Sequence, residues 1–242
     1  MKVLISPVSA EEARVVCEGG ADIVDIKNVN EGSLGANFPW IIRSVVAETQ
    51  GFNVTYSATL GDLPYKPGTA ALAALGAAYA GARYIKAGLH GTKTYAEALD
   101  VMSAVARACR DFDRQITVVA AGYADYRRFD GLDPQTLIGV ARDAGADLVM
   151  VDTSFKDGKN LFDNLSVAEI EGFITGAHAA GLEVALAGSI QYEHIPLLID
   201  LQADVVGIRG AVCLEANRRS HIVRDKVRSF VETVRARDRA AA

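Results

Sequence analysis

Gly20-Ala-Asp-Ile-Val-Asp-Ile-Lys27 is the stretch that decides the fold. A helical pattern closes on Gly-Ala-Asp, a short apolar run follows, and a lysine ends it. Side chains alternate faces along a strand, so Asp25 and Lys27 point one way while Val24 and Ile26 point the other. Charges on the inner face of a buried strand are unwelcome unless they are paired or functional, so this spacing asks for an explanation. Related junctions recur at Gly81-Ala-Arg83, Gly145-Ala-Asp147 and Gln202-Ala-Asp204, each just ahead of another β-rich run. Such a weak internal repeat is what reuse of one βα unit leaves behind.

Outward from this stretch the chain alternates β-rich runs with helical patterns from end to end. Strands are predicted at residues 2–7, 21–27, 53–60, 83–89, 115–121, 147–152, 183–187 and 204–208. The first helix begins at Ser9, which has capping-box spacing to Glu12, and the second is entered through Pro39, a favoured first helical position. Further helices are predicted at 69–82, 95–111, 134–144, 166–180, 193–201 and 222–234. Eight βα units in 242 residues predict a (β/α)8 TIM barrel occupying residues 1–242 as one domain. A nucleotide-binding doubly wound sheet would more often carry a phosphate-binding glycine loop, and neither GxGxxG nor GxxxxGK[ST] occurs.

A formal net charge of −5 offers no global attraction for nucleic acid or anionic membranes, so any phosphate binding must be local. Cys17, Cys109 and Cys213 are widely spaced and lack metal-ligand or CxxC spacing, which fits reduced thiols better than disulfides. The N-terminus turns polar too soon for a signal peptide and no apolar run approaches the roughly 18 residues of a membrane span, so a cytoplasmic location is expected. His178, His194 and His221 have no partner at ligand spacing, and His90 reads as a loop residue near the fourth strand end; no metal is expected.

Chemistry in this fold lies at the C-terminal ends of the strands. Asp25, Lys27, Lys86, Asp152 and Lys156 fall there or just beyond. Most lysines are solvated surface residues, but Lys27 and Lys86 are flanked by apolar residues at strand ends, which favours function. Phe155-Lys-Asp-Gly-Lys-Asn160 reads as an exposed turn, which sets Lys156 apart and leaves Lys159 solvated. An amine attacks a carbonyl only when deprotonated, and burial beside other ammonium groups lowers its pKa while ionised Asp25 and Asp152 oppose that shift. One lysine would form a Schiff base, with the others as phosphate partner or proton donor. The aspartates would shuttle protons or only orient the lysines through salt bridges.

Gly188 and Ser189 follow the seventh strand and Gly210 follows the eighth, where barrels commonly bind phosphate through backbone amides and the N-terminus of a following helix. Arg209, by contrast, reads as a structural salt-bridge residue directed to the helix layer.

Residues 28–40, immediately after Lys27, form a loop rich in Gly, Asn and Ser that suits close contact with a ligand. The strings DIVDIKNVNEGSLGANFPW (22–40), YIKAGL (84–89) and VDTSFKDGKNLFD (151–163) resemble the (5-formylfuran-3-yl)methyl phosphate synthase family, also called 4-(hydroxymethyl)-2-furancarboxaldehyde phosphate synthases, and the resemblance covers essentially the whole chain. It implies a lyase of methanofuran biosynthesis that condenses two molecules of glyceraldehyde 3-phosphate, with loss of phosphate and water and without a cofactor. By motif, Lys27 is similar to the family's Schiff-base lysine, and Asp25, Lys86, Asp152 and Lys156 match its other catalytic positions. The residues taken alone leave three alternatives open: another Schiff-base aldolase, an isomerase in which the lysines only polarise a carbonyl, and a silent barrel that binds a phosphorylated metabolite. The Ala-rich third helix suggests a homo-oligomer.

Overall fold

Eight parallel strands, β1 (Lys2–Ile5), β2 (Ile23–Ile26), β3 (Thr55–Pro64), β4 (Tyr84–Gly91), β5 (Thr117–Tyr123), β6 (Leu148–Asp152), β7 (Glu183–Leu186) and β8 (Val205–Ile208), pair in chain order, and β8 returns to β1 to close a barrel. The computed structural model describes residues 1–241; Ala242, the last residue of the expected domain, lies outside the described residues. Helices α1 (Ala10–Glu18), α2 (Pro39–Glu48), α3 (Pro67–Tyr79), α4 (Tyr95–Phe112), α5 (Pro134–Ala144), α6 (Leu161–Asn164), α7 (Val167–Ala179), α8 (Ile195–Asp200) and α9 (Arg224–Ala241) surround it.

Two apolar clusters show why the strands alternate as they do. Val3, Ile5, Val24, Ile26, Ile85, Val149, Val151, Val184 and Val206 pack outward against the helices. Leu4, Ile23, Val119, Leu148, Met150, Ala185 and Val205 fill the barrel interior. Each buried Val, Leu or Ile contributes roughly 1.5–3 kcal/mol, while a buried ion costs several kcal/mol. The many apolar positions therefore offset the few charged ones.

Local signals fix the element ends. Pro39 and Pro134 start α2 and α5, and Ser166 and Glu169 form a reciprocal capping box on α7. The expected box on α1 is only half made. Ser9 accepts from the Glu12 amide at 3.2 Å, but the Glu12 carboxylate turns to the Val8 amide at 2.9 Å and to Arg209.

The third, fourth and fifth strands run past the ends expected at Leu60, Leu89 and Ala121. The β3–β4 ladder shifts register after Thr59 and resumes at Asp62–Gly88 and Pro64–Gly91, so the bulge disguises a continuing strand as a turn in the sequence. A capping box between Asn160 and Asp163 also makes α6 where no helix was predicted. On α3, Leu72, Leu75 and Tyr79 share an exposed outer face.

Candidate active site

The inward positions of β2, β4 and β6 carry the charges, but they do not pair within β2. Asp25 meets Lys86 Nζ across the barrel at 2.6 Å, and both are only 1% exposed. The Asp25 carboxylate also accepts from Ser6 Oγ at 2.8 Å and Ser57 Oγ at 2.9 Å. Burial alone would raise its pKa, but Lys86, Lys27 and the Ser6 hydroxyl together hold it below its ordinary value. Burial pushes the Lys86 amine below its ordinary pKa despite the opposing pull of Asp25. The ion contact is close but poorly directed for a hydrogen bond, leaving the buried ammonium's donors underused.

Nearer the mouth, Asp152 gathers the other two lysines. Its Oδ1 accepts from Lys156 Nζ at 2.7 Å and from the Thr153 amide at 2.7 Å, and its Oδ2 lies 4.0 Å from Lys27 Nζ. Burial would raise the Asp152 pKa, yet Lys156, Lys27 and the amide bring it down to about 2. Lys156 is drawn below its ordinary value by burial, then by Lys27, against the pull of Asp152. The expectation of an exposed turn holds for Lys159 but not for Lys156. Asp125 explains the difference: its carboxylate accepts from the amides of Ser154 at 2.7 Å and Phe155 at 2.8 Å, turning the chain so that Lys156 returns to Asp152.

A strap of the post-β2 loop crosses the same mouth. Ser33 Oγ donates to the Thr153 carbonyl at 2.7 Å, and Asp62 Oδ2 accepts from the Ser33 amide at 2.9 Å. Asp62 also accepts from the Tyr123 hydroxyl. Burial, then Asp62, raises the Tyr123 pKa well above its ordinary value, so it remains a donor. Gly32 is required here, with φ of +128° and a place where a Cβ would lie 2.0 Å from Asp62 Oδ2. Leu34 is fully buried below the strap within the barrel. His90 stacks on Phe129 with ring centroids 4.1 Å apart, rather than standing free in a loop.

The cavity inside the mouth measures about 160 Å³, and Asp25, Lys27, Asp152 and Lys156 line it opposite Gly188, Ser189 and Gly210. Lys86 does not reach this cavity; it lines a smaller void beneath it with Ser57 and Met150. The predicted lysines therefore converge as two at the mouth and one sealed below.

The amides of Gly188, Ser189 and Gly210 donate to no protein acceptor among the described residues. Gly188 has a constraint of its own, with φ of +108° and a Cβ position 2.9 Å from Thr153 Cγ2. At Gly210 a side chain would meet only ordinary contacts, so the protein itself does not demand the gap. Of the two helix N-termini expected here, the one after β8 is a correction. After β8, Gly210–Val212 is a single 3-10 turn and α9 begins only at Arg224, so no helix dipole backs Gly210, whereas after β7 the 3-10 turn Tyr192–His194 runs directly into the short α8 at Ile195.

Arg209 donates to Glu12 at 2.8 Å, as its salt-bridge reading predicts, but it also lines the cavity. All three cysteines are free and buried, and among the described residues no group of His, Cys, Asp and Glu could hold a metal ion. No described helix is long and apolar enough to cross a membrane.

Fold and site define a TIM-barrel protein whose mouth sets two amines and two carboxylates beside unpaired backbone amides. The sequence model of 4-HFC-P synthase matches residues 3–231. A (5-formylfuran-3-yl)methyl phosphate synthase from Archaeoglobus fulgidus is 53% identical, with 97% of this chain and 99% of the relative aligned. One from Methanothermobacter thermautotrophicus is 54% identical, over 96% of this chain and 98% of the relative. Among solved structures, 3-hexulose-6-phosphate synthase from Salmonella typhimurium superposes with a TM-score of 0.67 at 16% identity, covering 98% of this chain and all (100%) of the other, a likeness of fold alone. The chain belongs to the 4-HFC-P synthase family.

Proposed function

We propose that residues 1–242 act as one catalytic domain, a (5-formylfuran-3-yl)methyl phosphate synthase that condenses two molecules of glyceraldehyde 3-phosphate into the furan aldehyde phosphate, losing phosphate and water, in methanofuran biosynthesis. Family membership supports this reading. The observation that carries the mechanism is the position of Lys27 Nζ, 4.0 Å from Asp152 Oδ2 and in one cavity with Asp25, Lys156 and the amides of Gly188, Ser189 and Gly210.

In this reading the Lys27 amine adds to the triose aldehyde, and loss of water leaves an iminium. The iminium acidifies the adjacent carbon, whose proton passes to Asp152, giving an enamine. Enamine and iminium forms serve the later steps: joining the second triose, expelling the β-phosphate, and dehydrating to the aromatic ring. Lys156, held by Asp152 and Thr153, supplies protons to departing oxygens. Asp25 faces the same cavity, and Lys86 acts on it through their ion pair. No redox step is needed, since only water and phosphate leave.

The test is incubation with glyceraldehyde 3-phosphate, reading furan absorbance and released phosphate in one sample, followed by borohydride reduction during turnover. A triose-derived mass on Lys27 is expected. An adduct on Lys86 or Lys156 alone would transfer the nucleophile's role. The exposed face of α3, with Leu72, Leu75 and Tyr79, supports self-association of this enzyme, which sedimentation would read.

A further inference from the structure

Above the inner cavity lies a wider cleft of about 1010 Å³, open toward the loops after β8, β1 and β2. Lys27, Lys156, Arg209, Arg218 and Arg219 line it, together with neutral side chains, and no Asp or Glu does. This is unexpected on a chain with 30 acidic and 25 basic residues. The single acid of loop residues 28–37, Glu31, is exposed and accepts from Asn28 Nδ2 at 3.2 Å. Three of the five cations are committed: Lys156 and Lys27 to Asp152, and Arg209 to Glu12.

Arg218 and Arg219 differ. Among the described residues neither side chain has an ion pair or hydrogen bond; the Arg218 carbonyl accepts from Arg209 Nε at 2.8 Å, which fixes the backbone and leaves the guanidinium unused. Arg218 is half-buried, and burial draws it below its ordinary pKa, a direction that an approaching anion reverses. A partly desolvated guanidinium without a carboxylate suits a phosphate, whose oxygens can accept its paired N–H groups.

Position identifies the occupant. Lys27, Lys156, Arg209 and Arg218 line both the inner cavity and the cleft, and Arg219 lines the cleft alone, so the amine that holds one substrate faces the space from which another arrives, with Arg218 on the border between them. The inner cavity has its own unpaired amides for a first phosphate. We infer that the cleft is a second phosphate subsite, in which Arg218 and Arg219 hold the phosphate of the triose that joins the one on Lys27. The occupant rests on the reaction proposed above; the anion site itself does not.

Inorganic phosphate separates the two. Calorimetric titration of the full chain should show two phosphate sites, and Arg218→Gln with Arg219→Gln should weaken one of them by about tenfold to a hundredfold, the range for losing hydrogen bonds to a charged group. Melting temperature should be unchanged, because neither side chain has a partner to lose. With glyceraldehyde 3-phosphate the double variant should still give the borohydride-trapped adduct at wild-type triose concentrations, while half-saturation of furan synthesis moves up by a similar factor. Arg218→Lys with Arg219→Lys should restore part of it.

A single phosphate site in the wild type, or two undisturbed sites in the double variant, would overturn the subsite. Equal loss of trapping and synthesis would assign the arginines to the first triose and overturn the second-triose assignment. If phosphate titrates as expected but no variant or wild type forms an adduct, the proposed reaction fails while the anion site stands.

Discussion

The barrel holds two acid–amine sets built from the same residue types, and their surroundings make them different devices. Asp25–Lys86 is tight, 2.6 Å apart with Ser6 and Ser57 bonded to the carboxylate, and its amine is sealed below the cavity that Asp25 reaches. Asp152 with Lys27 and Lys156 sits in the wall of an open cavity, with contacts from 2.7 to 4.0 Å. A sealed ion pair is costly to break and slow to exchange protons, so it suits a fixed electrostatic bias. A looser set beside solvent lets an amine leave its carboxylate and meet a carbonyl.

The largest effect expected on this contrast is at Lys27. Arginine keeps the charge but cannot deprotonate near neutral pH, so Lys27→Arg should reduce furan synthesis to background and leave no trapped adduct. Furan made at a substantial rate by this variant would sink the Schiff-base route. Asp152→Asn should slow turnover by about 10² to 10⁴-fold, the usual scale for removing a general acid or base, and lower the melting temperature by only about 4–8 °C, the scale of its ionised form's contribution. A much larger loss of stability with turnover unimpaired would make Asp152 a structural residue.

The sealed pair should respond in the opposite sense. Lys86→Met strands a buried carboxylate and should destabilise by roughly 3–5 kcal/mol in a denaturant titration. Adding Asp25→Asn removes the stranded charge and should return most of that stability, but not the furan synthesis rate. Recovery of both would show that the pair is scaffolding only.

The smallest effect concerns pH. Asp152 titrates at about 2 in the folded chain against an ordinary 3.8, so the folded state favours its ionised form. The associated stability, about 2 kcal/mol, is fully present above about pH 5 and is lost as pH falls through 3.8 toward 2. Comparing acid unfolding of wild type and Asp152→Asn should show the difference shrinking across that window. A constant offset between pH 5 and 2 would contradict the linkage.

The sequence makes the barrel legible because its strands are short, parallel and punctuated by repeated Gly-Ala-Asp junctions. Alternation along β2 likewise reveals that Asp25 and Lys27 share an inner face. It cannot reveal that Asp25 pairs with Lys86 rather than with Lys27, since that depends on β2 and β4 meeting across the barrel. Asp62 and Asp125 were missed for a local reason. Both lie beyond the predicted ends of β3 and β5, where Gly61 and Gly122 mimic loop punctuation, and extending those strands would bring both acids under the strand-end rule. The sequence sets Lys156 apart because its turn looks polar, and it is the carboxylate of Asp125, on another loop, that helps turn it inward.

The bond from Ser33 to Thr153 ties the second βα unit to the sixth, and with Leu34 beneath it this strap roofs the β3–β5 side of the mouth. The opening that remains faces β8 and β1, where Arg218 and Arg219 stand. On the reaction proposed above, a triose on Lys27 would lie beside one held in the cleft, so the strap and the two arginines together would set the side from which the second triose approaches.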